Sequence, residues 1–161
     1  MQVKDAIWRI RAMTHDVTEE YDDADCVFAI NLAAHELATT LIAGHYPGLI
    51  EEGDFREGDA VPEGFFKTAG LYPVRITGGM VHMLCGQDVQ HLRYYVLPKD
   101  VALGGVMPFR LSLLNRLTLK IAAKMLSDEN EFDISQDTGI QTEIQQALSS
   151  GWRGDVDAAE Q

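Results

Sequence analysis

The sequence predicts an α+β fold, mainly α: a helical bundle around one long central helix, with a small antiparallel β insertion made of a hairpin and a further strand. Three stretches carry this reading. Residues 22–44 are almost wholly apolar between an acidic start and a glycine stop. Residues 72–85 are two alternating runs around Gly78-Gly79. Residues 109–126 repeat apolar side chains at helical spacing. At 161 residues the chain is long enough for one domain with a real core, and such a domain buries about 70% of the unfolded surface. The expected organisation is a single domain over residues 1–150, with the β insertion at about 65–98, and a flexible acidic tail over 151–161.

The long helix is the most explicit element. Asp22 or Asp23 accepts bonds from free N–H groups of the first turn, and Asp25 adds charge at the positive end of the dipole. Gly44 stands where a left-handed C-cap belongs, and Pro47 prevents continuation. Phe28, Leu32, Leu37 and Leu41 keep helical spacing, and Val27, Ile30, Ala34 and Ile42 widen the stripe. A helix this apolar is expected to be buried along most of its length, spanning about 30 Å.

Val3–Thr14 reads as a first helix, with Val3, Ile7, Ile10 and Met13 on one face and Trp8 beside them. It is joined to the long helix by a polar connection in which Asp16 or Thr18 begins a short turn, so the two helices should pack antiparallel. Residues 51–64 are acidic, Gly-rich and without period, and read as an exposed loop ordered by a partner. Tyr72–Thr77 and Met80–Cys85 alternate around Gly78-Gly79, which permits the positive φ of a primed turn. Leu92–Leu97 is a third strand and Phe65–Thr68 a short fourth. After a linker at Val101–Pro108, Leu113, Leu117, Ile121 and Met125 line one face of the next helix, and Arg116, Lys120 and Lys124 form a basic ridge beside it. A last helix runs from about Ser135 to Ser149, weakened early by Gly139. Trp152 anchors the tail. No role is assigned to Asn130–Asp137.

Charge is segregated along the chain. The net value of −12 divides into −10 for residues 1–64, +6 for 65–127 and −8 for 128–161. Such polarity suits a positive region meeting the negative region of a neighbour, as in head-to-tail rings. The overall acidity argues against phosphate-driven nucleic-acid binding. Cys26 and Cys85 lie far apart in apolar runs and read as reduced, buried thiols of an intracellular protein. No basic-then-apolar leader is expected, and the apolar runs are expected to fall short of a membrane span.

Catalytic readings are thin. His35-Glu36 begins a helical zinc-protease pattern, but Thr39 stands where the second His belongs, and Ile42 replaces the glycine before His45. A small metal-dependent hydrolase using His35, Glu36 and His45 is therefore an alternative function, set against a satisfied histidine and glutamate on a core helix. His82, Cys85 and His91 lack the spacing of a zinc finger or ribbon, and strand alternation puts His82 and Cys85 on opposite faces. No nucleophile motif or phosphate loop is present. The contact candidates are Arg110, Arg116, Lys120 and Lys124 on the basic side, and Glu51, Glu52, Asp54, Glu57 and Asp59 on the acidic side. Tyr94 and Tyr95 join them, one expected to pack and the other to be exposed, together with Trp152. A further alternative is an acidic DNA-mimic inhibitor.

The order of elements resembles a family. Val3-Lys4-Asp5-Ala6-Ile7 opens a short helix, and Asp22-Asp23-Ala24-Asp25 caps a long one containing Ala29-Ile30-Asn31-Leu32-Ala33. An acidic loop and a β insertion follow, with Arg93-Tyr94-Tyr95-Val96-Leu97-Pro98 running into proline before two last helices. To about Leu148 this resembles the head–tail connector (adaptor) proteins of tailed bacteriophages. The resemblance implies a structural virion protein without catalytic residues, cofactor or metal. It also implies a homo-oligomeric ring, dodecameric in kind, in the virion neck, assembled in the host cytoplasm. Such a ring docks under the portal, receives tail or neck proteins, and lines a channel through which DNA passes without sequence-specific binding during packaging and ejection. No membrane partner is implied.

Overall fold

Helix α3 (Ser112–Ser127) is the element on which the other helices converge. The structure, a computed structural model, describes residues 1–15, 20–127 and 132–151. Within them the chain divides into two compact units, a β unit of Tyr46–Leu97 and a helical unit formed by Met1–His45 with the residues from Pro98 onward.

In the helical unit, α1 (Val3–Thr14), α2 (Asp23–Ala43) and α4 (Thr138–Gly151) each pack on α3, and α1 touches α2 less extensively. The reason lies in α3 itself. Leu114, Leu117, Leu119, Ile121, Ala122 and Ala123 are buried around it, so it presents apolar surface in several directions. The expected bundle around one long central helix is thus corrected: the fold is a mixed α+β fold of four helices and two small antiparallel sheets among the described residues, and α2 is not its axis.

Local signals on α2 act largely as the residues dictate. Asp22 Oδ1 accepts from the Asp25 N–H at 2.8 Å, and the Asp22 N–H donates to Asp25 Oδ2 at 3.2 Å, a reciprocal capping box. The C-terminus differs from expectation. Gly44 has φ −82°, and the left-handed residue is His45 at φ 59°. A Cβ at 44 would lie 2.6 Å from Leu148 Cδ1 of α4, so a larger residue there would make Leu148 shift. Burial also differs. The packed face is the small-residue side, Cys26, Ala29, Ala33, Ala34 and Ala38 with Ile30, Leu37, Leu41 and Ile42, which lets a neighbouring helix approach closely. Phe28 and Leu32 point to solvent. By length and mean hydropathy α2 is apolar enough to cross a membrane, contrary to the sequence expectation, yet half of its apolar window is buried inside the protein.

The segment after Pro98 is strapped to the helices by side-chain amides. Asn31 of α2 accepts from the Val101 N–H at 2.8 Å and donates to the Val101 carbonyl at 3.1 Å. Asn115 of α3 repeats the device on Phe109, at 3.0 and 2.6 Å. The Val3 N–H donates to the Gly105 carbonyl, and the Met107 N–H donates to the Met1 carbonyl. Further along, an Asx turn at Asp133 leads to Asp137, whose carboxylate accepts from the Ile140 N–H and caps α4. That gives a structural task to the part of the Asn130–Asp137 stretch that is described.

The β unit opens with a short 3-10 turn at Pro47–Leu49. Its strands are β1 (Ile50–Phe55), β2 (Phe65–Thr68), β3 (Val74–Thr77), β4 (Met80–Met83) and β5 (Gln90–Val96). One sheet has the order β1-β5-β2, antiparallel throughout, and β3-β4 is a hairpin. Gly78 and Gly79 turn it with φ of 60° and 76°, a conformation costly for residues with a Cβ. Phe55, Val81, Leu92 and Tyr94 form a core of the unit's own, flanked by Phe65, Tyr72, Ile76 and Val96. The acidic stretch 51–64 is corrected from irregular loop to structure: it supplies β1, and its Gly58–Val61 portion bonds along β4 through Gly58 to Val81 and Val61 to Gly79.

Candidate interaction surfaces

The expected basic ridge on α3 is divided by its neighbours. Lys120 Nζ donates to Glu143 Oε1 at 2.5 Å, and Lys124 Nζ is paired with Asp137. Both lysines are thereby turned to α4, where they flank a cavity of about 370 Å³ reaching Met13 of α1. The Lys124 ammonium and the Ile140 N–H hold the Asp137 carboxyl below its ordinary range. These pairs are solvent-accessible and contribute little net stability. Arg110 and Arg116 are exposed and make no ion pair among the described residues. Of the expected basic candidates, those left for a partner are therefore Arg110 and Arg116, in the N-terminal part of α3 and just before it.

The acidic candidates fall into two groups. Glu57 and Asp59 are used inside the β unit. Glu57 accepts from the Met83 N–H at 2.5 Å and from His82 Nδ1 at 3.0 Å, and these bonds lower its carboxyl pKa. Asp59 Oδ2 accepts from the Arg56 N–H at 2.7 Å, closing a turn. Glu52 and Asp54 instead face outward from β1, across from Arg93 and His91 of β5. His91 Nδ1 donates to Asp54 Oδ1 at 2.7 Å, and Glu52 lies 3.7 Å from the same ring and 3.9 Å from Arg93. The Asp54 hydrogen bond is the main reason His91 holds its proton above its ordinary pKa. Glu51 points to the other face, beside Tyr94; burial, and then the Glu51 charge, raise the Tyr94 phenol.

Tyr94 and Tyr95 are both buried, so neither is the exposed aromatic that alternation suggested. Tyr94 sits edge-on to Phe55 at 5.8 Å and beside Phe65 at 5.5 Å, and Lys67 lies over Tyr95. Trp152 lies outside the described residues, as do the Asp16 and Thr18 turn candidates and the tail from residue 152.

Neither metal reading gains a site. His35 Nε2 donates to the Pro98 carbonyl at 3.0 Å and lies 3.2 Å from Asp100 Oδ1, so the ring helps hold the strap after Pro98. Glu36 is half-buried, and burial, then the charge of Asp133, push its carboxyl up. His82 is engaged by Glu57 and His91 by Asp54, and Cys85 is exposed rather than buried, unlike Cys26. Among the described residues no group of three or more His, Cys, Asp or Glu side chains converges as a metal site.

Sequence periodicity missed the large apolar side chains left in solvent. Trp8 is 73% exposed, Phe28 69% and Leu32 42%. The signal available was the alanine row Ala29, Ala33 and the adjacent Ala34, Ala38 pair: small residues mark the face of closest helix approach, which sends Phe28 and Leu32 outward. A scan against protein-family models and a search of curated proteins both return no match to this chain.

Proposed function

We propose that this chain is a non-enzymatic structural subunit that works as a ring: the head–tail connector of a tailed bacteriophage, set in the virion neck between portal and tail. The carrying observation is the exposure of Trp8, Phe28 and Leu32 on a helical unit that already has a filled core. Phe28 and Leu32 stand one turn apart on α2, and large apolar side chains gathered outside such a core mark contact surface. The exposed cations Arg110 and Arg116 and the outward carboxylates Glu52 and Asp54 support repeated contacts between unlike surfaces. The order of elements, from the capped long helix to the strand ending at Pro98, supports the connector assignment by resemblance. In this reading the ring surrounds a channel in which carboxylates let DNA slide without adhering.

Light scattering and particle imaging of the purified chain, alone and with portal protein, test the proposal. Rings that bind portal are expected. A chain that remains monomeric under both conditions refutes it.

A further inference from the structure

We infer that the outer face of α1 in one copy docks on the outer face of α2 in the next copy. This rests on the reading of the chain as a ring-forming subunit and names the two faces that meet. On α1, Lys4, Trp8 and Ala12 follow one another at i, i+4 spacing with Arg9 beside them, and all are exposed. Lys4 and Arg9 make no ion pair among the described residues. On α2 the exposed row is Ala24, Phe28, Leu32, Thr39 and Ala43, preceded by the exposed carboxylates Asp22 and Asp25. Each face thus centres on one aromatic residue, and the balance of flanking charge is opposite: Lys4 and Arg9 against the single exposed Asp5 around Trp8, and the carboxylates Asp22 and Asp25 at the start of the Phe28 row.

Charge complementarity selects a second copy as the occupant. A Trp8 face seated on a Phe28 face brings Lys4 and Arg9 toward Asp22 and Asp25, and it covers together the two most exposed aromatics among the described residues of the helical unit. The two residues do not satisfy each other within one chain: among the described residues, neither Trp8 nor Phe28 is in a ring pair. Because the two faces differ, the contact is heterologous and propagates from copy to copy until it closes. A tryptophan at the centre of such a seam is the type of residue that dominates association energy.

The test uses the full chain with Trp8→Glu and Phe28→Lys, each placing a charge opposite like charges across the seam. Light scattering over a concentration series should show each variant assembling only at concentrations raised by roughly 30-fold or more. An equimolar mixture should associate again at wild-type concentrations, to dimers at least, because the Phe28 face of the first variant and the Trp8 face of the second remain intact. Dimer formation also demonstrates that both variants are folded. Wild-type-like assembly by either variant, or a mixture of two folded variants that stays monomeric, overturns the seam while leaving ring formation by the wild type standing. A wild type that never associates overturns the ring reading itself and the seam with it. Wild-type binding to phospholipid vesicles that Phe28→Lys abolishes without changing self-association assigns the α2 face to lipid and likewise overturns the seam.

Discussion

Replacing Asn115 with Ala should be among the most damaging single changes in the helical unit. Its amide accepts from the Phe109 N–H at 3.0 Å and donates to the Phe109 carbonyl at 2.6 Å. Asn115 is 5% and Phe109 7% exposed, so neither backbone group has ready access to water once the amide is gone. Each orphaned group costs about 1–3 kcal/mol, and with partial relaxation the pair should cost about 2–4 kcal/mol, against a total stability of about 5–15 kcal/mol. At about 2–4 °C per kcal/mol for a chain of this size, the melting temperature should fall by about 5–15 °C. Urea unfolding followed by far-UV circular dichroism reads the loss directly. Asn115→Asp sharpens the test. It keeps the acceptor for the Phe109 N–H but sets a second carboxylate oxygen against the Phe109 carbonyl. Protonation restores a donor, so the folded state should raise this carboxyl's pKa and bind the proton more tightly than the unfolded chain. Stability of that variant should then be greatest below the unfolded pKa and decline as pH rises through the folded pKa. A loss below about 1 kcal/mol for Asn115→Ala, at unchanged denaturant slope, would refute the reasoning that these two bonds hold the strap.

Other changes test the remaining structural arguments. Gly64→Ala and Gly58→Ala share nearly the same strained backbone, φ 81° and 80°, but only at Gly64 does a Cβ meet backbone, 2.8 Å from the Leu97 carbonyl oxygen. Gly58→Ala should cost about 1–2 kcal/mol and Gly64→Ala clearly more; equal losses in denaturant unfolding count against the close-contact argument. At Gly44, Ala should be destabilising through its clash with Leu148, and the loss should shrink in a Leu148→Ala background; a double-mutant cycle with no coupling removes the packing explanation. His91 should titrate above its ordinary value by NMR, and Asp54→Asn should bring it down, since the Asp54 hydrogen bond is the largest cause of the rise. The stability contributed by the raised His91 pKa is fully present below the unfolded value and is lost as pH rises through the folded one; an unmoved titration midpoint in Asp54→Asn contradicts this.

Asn31 and His35 link the motif pattern to the fold. Asn31 looked like a polar interruption of an apolar helix, and Pro98 like the end of a strand. In three dimensions Asn31 and His35 reach the chain just beyond that strand, at Val101 and Pro98, and fix its return to the helical unit. The polar side of α2 thus has an architectural task. That explains how His35-Glu36 imitates part of a catalytic pattern without gathering the ligands that chemistry requires.

Elements governed by neighbours in the chain were legible from residues alone. The bounds of α1, the Asp22 cap, the Gly78-Gly79 hairpin and β2 depend on local dihedral preference, capping and alternation, all written within a few positions. β1 was not legible, because Glu51, Glu52, Gly53 and Asp54 have poor strand propensity, and the strand exists through pairing with β5, some forty residues later. For the same reason the charges could be counted but not assigned: only folding committed Lys120, Lys124, Glu57 and Asp59 to partners inside the chain and left Arg110 and Arg116 without ion pairs among the described residues. The long helix shows the division most plainly. Its start belongs to the sequence, since the Asp22 cap is local. Which face it buries, and that α3 rather than α2 stands at the centre, were decided by tertiary packing, because small alanines admit a neighbouring helix where the bulkier Phe28 and Leu32 would hold it off.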